Sequence, residues 1–423
     1  QTANSIARDN IQTPSSASTF GSAVVFESGT SDVMGITFDS NSNRIVIIYW
    51  DDANSQYGTV VVGTVSGTSI SFGTPQVYQS VVPHYHAITF DSSNNKVVIG
   101  YNDASDSYKG KAIVGTVDPS DNSITFGSAA EWESGNSQFT SMVFDTSNNK
   151  VVISYQDDAD SDHGKAVVGT VSGTSISFGS ITNFASANTT MISSAFDSSN
   201  NKVVIFFRDN DNSNYGTAIV GTVSGTSISF GSEAVFESAD ARIEVGAATF
   251  DTSNNKVVIG YQDAGNSNYG TAVVGTVSGT SISFGTPVVF SSATSQDVNA
   301  SFDSNVNKVV FSYHLSASAQ VITGTVSGTS ISFDSASELN SSVSYYLALG
   351  FDSNANKTVV AYRDGGNSQY GTAKVISAAG TLGDLTIGQQ YFVQTDATVK
   401  ETADSPSVVA GTAIGTTDLI VKG

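Results

Sequence analysis

Apolar positions in this chain fall in short runs of Val, Ile, Phe and Tyr, separated by Ser, Asn, Gly and Thr, and nowhere do they recur with a sustained helical period. The stretch from Ala248, "ATFDTSNNKVVIGYQDAGNSNYGTAVVGTVSGTSISFGTPVVF", shows the arrangement in full. It divides into four β-rich runs, A to D. Run A ends at Phe-Asp-Thr, B covers 256–261, C covers 271–277 and D covers 281–290. Asn, Gly and Ser fill the tight connections, where hairpin turns require positive φ.

The same unit recurs along most of the chain. Phe-Asp-Ser/Thr occurs at Phe38, Phe90, Phe144, Phe196, Phe250, Phe302 and Phe351, at intervals of 52, 54, 52, 54, 52 and 49 residues. Four antiparallel strands repeated about every 50 residues predict an all-β protein, a seven-bladed β-propeller of four-stranded blades. Run D occurs six times after an A run, and its seventh copy, "STFGSAVVF" from Ser18, stands at the front. The N-terminal strand is therefore expected to complete the last blade and leave no open edge. An open stack of seven sheets, the competing arrangement, would need a cap at each end. The expected organisation is an N-terminal arm (1–15), the propeller (16–379) and a small C-terminal β module (380–423), whose apolar runs lie around 390–394, 407–414 and 419–421.

Charge narrows the partners. Seventeen basic against 38 acidic residues give a net charge of −21. Such a surface repels phosphate backbones and anionic lipid, so nucleic acid is not an expected partner. No apolar run approaches the roughly 18 residues of a membrane helix, so membrane insertion is not expected. The absence of Cys excludes disulfides and thiolate chemistry.

Comparing the repeats with one another separates scaffold from site. The A–B and C–D turns are tight and nearly constant. The B–C and D–A connections, on the opposite face, are longer and varied, which marks that face for binding. After the strand-B aromatic the blades carry Trp50, Asn102, Gln156, Arg208, Gln262, His314 and Arg363. With His84, Tyr85, His86, Phe139, Arg242, Tyr345 and Tyr346 nearby, these are the candidates for a ligand-binding face suited to glycan or protein; the plainer reading is solvated loops and packed aromatics. The Asp of each Phe-Asp-Ser/Thr recurs in every unit and is expected to fix a turn rather than to catalyse.

Calcium is the metal the loops would suit. Asp158, Asp160 and Asp162 alternate in "DDADSDHG", and Asp209 and Asp211 in "RDNDNSNYG", although the EF-hand glycine and closing Glu are missing. The alternative is a set of solvated carboxylates. No other cofactor is indicated. His84, His86, His163 and His314 map to the same face and could build a transition-metal site. Arg208, Arg242 and Arg363 could serve a sialidase-type centre, but the Ser-x-Asp-x-Gly-x-Thr-Trp box is absent and no catalytic residue is assigned.

The tail "LTIGQQYFVQTD…TADSPSVVAGTAIGTTDLIVKG" resembles C-terminal modules in structural proteins of marine tailed bacteriophages. The unit "FDSSNNKVVIGYND…VGTVSGTSISFG" resembles repeats of phage tail-fibre-like and virion surface proteins. The resemblance implies a non-enzymatic protein on the virion surface, extracellular to the host, as a tail fibre, spike or capsid decoration. Its propeller would recognise a host glycan or surface protein, and its tail module would bind other virion proteins or further copies of the chain. A secreted bacterial adhesin or lectin and a polysaccharide-degrading enzyme are the alternatives.

Overall fold

The computed structural model describes residues 17–380 and, beyond them, the backbone of four short strands. Its logic is clearest in strand B. In Arg44–Asp51, residues 45 to 49 are all fully buried, because both faces of the strand are covered. Ile45, Ile47 and Tyr49 pack against Val359 and Ala361 of the last repeat, whereas Val46 and Ile48 pack against Val97 and Ile99 of the next. The period-two alternation of a strand thus divides its side chains between two neighbouring sheets.

Backbone pairing builds each repeat as a four-stranded antiparallel blade. In blade 1, residues 31–39 pair with Arg44–Asp51, which pairs with Tyr57–Ser66. The fourth strand is stepped: Ser69–Phe72 and Gln76–Gln79 both pair with Tyr57–Ser66. In the last blade, Ser344–Asp352, Lys357–Asp364 and Tyr370–Ser377 supply three strands. The fourth comes from the N-terminal end of the described chain: Thr19 and Phe20 pair with Ser377 and Ile376, and Val24 and Val25 with Ala373 and Thr372. The innermost strands touch in order around a ring that returns to its start. Seven apolar clusters fill the seams, each shared by two neighbouring blades. The fold is a β-propeller, closed by its N-terminal strand.

The constant residues serve this frame. Asp251 accepts from the backbone N–H of Ser253 (2.9 Å) and Asn254 (3.0 Å), and Asn255 takes the left-handed conformation that completes the A–B turn. Gly225 opens the two-residue C–D hairpin at φ +61°, where a side chain would be strained although nothing lies near it. A second glycine locks the blades together. A Cβ on Gly179 would lie 1.8 Å from the carbonyl oxygen of Thr226 in the next blade, and Gly21, Gly73, Gly127, Gly231 and Gly285 make the same approach. The sixth repeat has Asp334 there, and the blade it faces has no C–D turn, since that is where the N-terminal strand enters.

The D–A connections differ from the expected loops. Val24–Asp39, Ala130–Asp145 and Thr182–Asp197 are each ladder-forming along their whole length. Residues 24–30 run toward the B–C end of one blade and 31–39 run back from it in the next, so each run arcs over the variable face while keeping its hydrogen bonds. Part of the run is scaffold: Tyr155 Oη donates to Glu133 across a seam (2.8 Å), and Tyr49 and Tyr261 bond Glu27 and Glu237 likewise.

In the C-terminal segment, Val399–Lys400, Gln390–Val393, Val408–Ala413 and Leu419–Ile420 form a four-stranded antiparallel sheet in that spatial order. The N-terminal arm (1–15) lies outside the described residues.

Candidate functional site: the axial mouth on the variable face

Near the variable face six of the seven inner strands carry a register shift two to three residues wide, and in five of them a non-glycine residue at the shift turns left-handed. Tyr85 (φ 46°), Phe139 (48°), Met191 (53°), Asp297 (49°) and Tyr346 (54°) occupy equivalent positions in five blades. A β-bulge re-aims a side chain, and positive φ at an aromatic residue costs on the order of 1 kcal/mol or more. Here the re-aimed side chains of Tyr85, Phe139, Asp297 and Tyr346 line a cavity of about 290 Å³ along the propeller axis. Ile36, Ile88, Met142, Leu347 and Leu349 make most of the remaining wall apolar.

Blade 5 departs from the others. Its two-residue insertion ends one strand at Arg242 and delays the next to Ala248. Residues 243–247 leave the ladder, and Glu244, Val245 and Gly246 line the axial cavity. Gly246 (φ +86°) permits the detour, and its carbonyl accepts from the Ala300 N–H of blade 6 (2.9 Å). Glu244 and Asp297 also line a second cavity of about 170 Å³ with Met191, Arg242, Gln262 and Gln296. Burial, with Asp297 adding a like charge, pushes the Glu244 carboxyl up to about 8.

Around the mouth the expected residues fall into three groups. The first is aromatic: the Trp50 and His84 rings lie 5.0 Å apart, His84 and Tyr108 5.8 Å, and Tyr85 and Phe139 5.0 Å. Burial lowers the His84 pKa and raises that of Tyr85. The second group spans blades 6, 7 and 1. Arg363 lies over the rings of Tyr345 (4.9 Å) and Tyr346 (4.7 Å) and bonds Asp32 at 2.5 Å. His314 packs edge-on against Tyr345, and Asp297 accepts from the Tyr346 N–H (2.8 Å). Burial outweighs the Arg363 charge and raises Asp32. Tyr345 and Tyr346 remain exposed. The third group is an ion cluster in which Arg208 bonds Asp240 (2.7 Å) and Asn210 (2.9 Å), and Arg242 reaches Gln262 (3.3 Å).

Several expectations need correction. His86 is buried: its Nδ1 accepts from Tyr78 Oη (2.7 Å) while its Nε2–H donates to the Pro83 carbonyl (2.7 Å), and burial lowers its pKa to about 4. It supports blade 2 instead of displaying a ring. Asn102, Gln156, Gln262 and His314 are buried as well, so of the expected rim only Trp50, Arg208 and Arg363 are accessible. The three arginines do not converge, since Arg363 is held by Asp32 and Arg208 by Asp240.

The acidic loops are held by protein partners. Asp160 pairs with Lys165 (2.9 Å), Asp158 accepts from Asn136 (2.8 Å) and Asp162 from Asn188 (2.9 Å). Asp209 accepts from the N–H groups of Asp211 and Asn212 (both 3.1 Å), and Asp211 accepts from the Asn188 N–H (3.0 Å). Among the described residues no group of three or more His, Asp or Glu side chains is placed to hold a metal ion. Within these loops Lys165 neutralises Asp157 and Asp160, and backbone and side-chain amides satisfy Asp158, Asp162, Asp209 and Asp211.

The sequence did not single out Asp297, and it pointed to Glu244 only through the insertion that carries it. No protein-family model matches the chain, and no curated protein matches it. Solved structures do: the β-propeller domain of Cps50 (Swd1) from Myceliophteria thermophila aligns with a TM-score of 0.53 at 8% identity, covering 84% of this chain and 99% of that one. At that identity the similarity is one of fold, and on it the chain takes its place among β-propellers.

Proposed function

We propose that the chain is a non-enzymatic surface-recognition protein whose ligand, a host glycan or the glycan of a surface protein, seats at the axial mouth of the variable face. The observation that carries this reading is the set of left-handed residues at that mouth. A chain that needed only a closed ring would place Gly or Asn at the bulges; this one places Tyr, Phe, Met, Asp and Tyr there. Aromatic faces beside half-buried carboxyl groups provide stacking and hydrogen-bonding partners for a sugar ring. The virion setting, as tail fibre, spike or capsid decoration, is proposed on the likeness of the tail and the repeat, read in the sequence, to marine phage structural proteins. The tail module would there hold other virion proteins or further copies.

The test is a glycan panel of neutral, acidic and amine-bearing oligosaccharides, read with the wild-type chain and with a Trp50→Ala/Tyr345→Ala variant. Saturable binding that falls at least tenfold in the variant supports the reading, and no binding to any glycan counts against it.

Glu244 and Asp297 in one cavity favour a second reading, glycan cleavage, with Glu244 as proton donor and Asp297 as the second carboxyl. Release of new reducing ends from a bound oligosaccharide, abolished in Glu244→Gln, would select it over recognition alone.

A further inference from the structure

The axial cavity combines three features that seldom share one space. Tyr85, Phe139 and Tyr346 line it, much of its remaining wall is apolar, and the carboxyl groups of Glu244 and Asp297 enter it. Neither carboxyl is ion-paired with a Lys or Arg among the described residues. The basic groups nearby are committed elsewhere: Arg363 to Asp32, Arg208 to Asp240, Arg242 to Gln262, with His314 3.8 Å from Asp297. An ionised carboxyl in a mostly apolar cavity is costly unless it takes up a proton or a cation joins it. Aromatic rings add attraction for a cation that a neutral ligand of the same shape does not feel. A net charge of −21 draws cations toward the mouth and repels uronic and sialic acid sugars.

We infer that the axial cavity binds a small organic cation, the protonated amine or quaternary ammonium end of its ligand, held between Glu244 and Asp297 and against the rings of Tyr85, Phe139 and Tyr346. This inference deepens the recognition reading, since it makes an amine-bearing sugar the favoured end group of the glycan. A volume of about 290 Å³ is at the small end for ligand sites and suits one sugar ring or one trimethylammonium head.

The cavity also makes binding depend on pH. The titratable and charged groups lining the two cavities that Glu244 shares are Tyr85, His86, Tyr346, Asp297 and Arg242. His86 is neutral above about pH 4, so Glu244 is the group that changes charge near neutrality. A cation needs Glu244 ionised, so affinity for a permanently charged ligand should rise with pH, by up to about tenfold per unit, until it levels above about pH 8.

The test is calorimetry on the full chain with choline against its uncharged isostere 3,3-dimethylbutan-1-ol, and with glucosamine against glucose, from pH 6 to 9. Choline should bind at least about tenfold more tightly than its isostere at about pH 8 to 9, a difference of about 1.4 kcal/mol. Glucosamine, whose own amine loses its proton at about pH 8, should show its preference over glucose only between about pH 7 and 8. Glu244→Gln should abolish both the charge preference and the rise with pH, and Asp297→Asn should weaken the preference if the first variant fails to fold. Equal affinity for charged and neutral ligands, or no saturable binding of either cation, overturns the inference. Binding on the glycan panel without preference for amines would overturn it while leaving the recognition reading in place.

Discussion

Tyr85, Phe139 and Tyr346 hold φ between 46° and 54°, a conformation that suits glycine far better than an aromatic residue. On the recognition reading, their side chains serve a ligand more than they serve stability. Phe139→Gly should therefore change stability by no more than about 1 kcal/mol in denaturant unfolding, because relief of strain offsets lost packing, yet weaken glycan binding. Glu244 and His86 set opposite pH responses. Glu244 titrates at about 8 in the fold, above its ordinary value, so between pH 4.5 and 8 the native state holds a proton the unfolded chain has released. Stability is lost as pH rises through that window, and Glu244→Gln should raise Tm at pH 8 but leave it unchanged at pH 4.5. His86, lowered to about 4, works the other way. The unfolded chain takes up the proton below 6.5 and the fold does not, so up to about 3 kcal/mol is lost as pH falls from 6.5 to 4. His86→Gln should flatten that acid limb in a stability–pH series. At this scale the sequence was a partial guide. It placed Trp50, Tyr345, Tyr346 and Arg363 at the variable-face end of their strands, as the structure does, but it could not tell half-buried His84 from fully buried His86 two residues on. That difference depends on the Tyr78 hydroxyl waiting in the same blade.

The blade is where sequence and structure agree most closely, because each strand's pattern repeats and its neighbours repeat with it. Strand B, buried on both faces, reads as a continuous apolar run, and the Ser-Gly-Thr and Asn-Asn turns state their own geometry. The bulges were not legible, since nothing local to Tyr85 or Phe139 calls for a left-handed residue; the arc from one blade to the next imposes it. The inter-blade glycines became interpretable only with the fold. Gly179→Ala should cost about 2 kcal/mol or more, because a Cβ would meet the Thr226 carbonyl, which is backbone and cannot swing aside. Deleting residues 1–30 should remove the fourth strand of the last blade and expose Tyr370–Ser377 as an edge. Size-exclusion chromatography should then show aggregation and calorimetry a lost or broadened unfolding transition.

At the scale of the molecule, the ring divides labour between its faces. One carries short turns, with the C–D turn of the second repeat lengthened at 119–122, and the inter-blade clasps. The other carries the arcs, the blade-5 insertion and the axial cavity, and most departures from the repeat lie there, the lengthened 119–122 turn being on the first face. Charge acts across the whole surface, favouring neutral and cationic ligands over anionic ones. The most direct measurement is binding of labelled protein to a panel of marine bacterial cells, comparing two variants matched in stability. Trp50→Ala/Tyr345→Ala alters the variable face, and Ser172→Ala/Ser224→Ala alters the turns on the opposite face. Saturable cell binding that the first pair abolishes and the second leaves intact is the expected result. Equal loss in both, or loss only in the second, would contradict the assignment of recognition to the axial mouth.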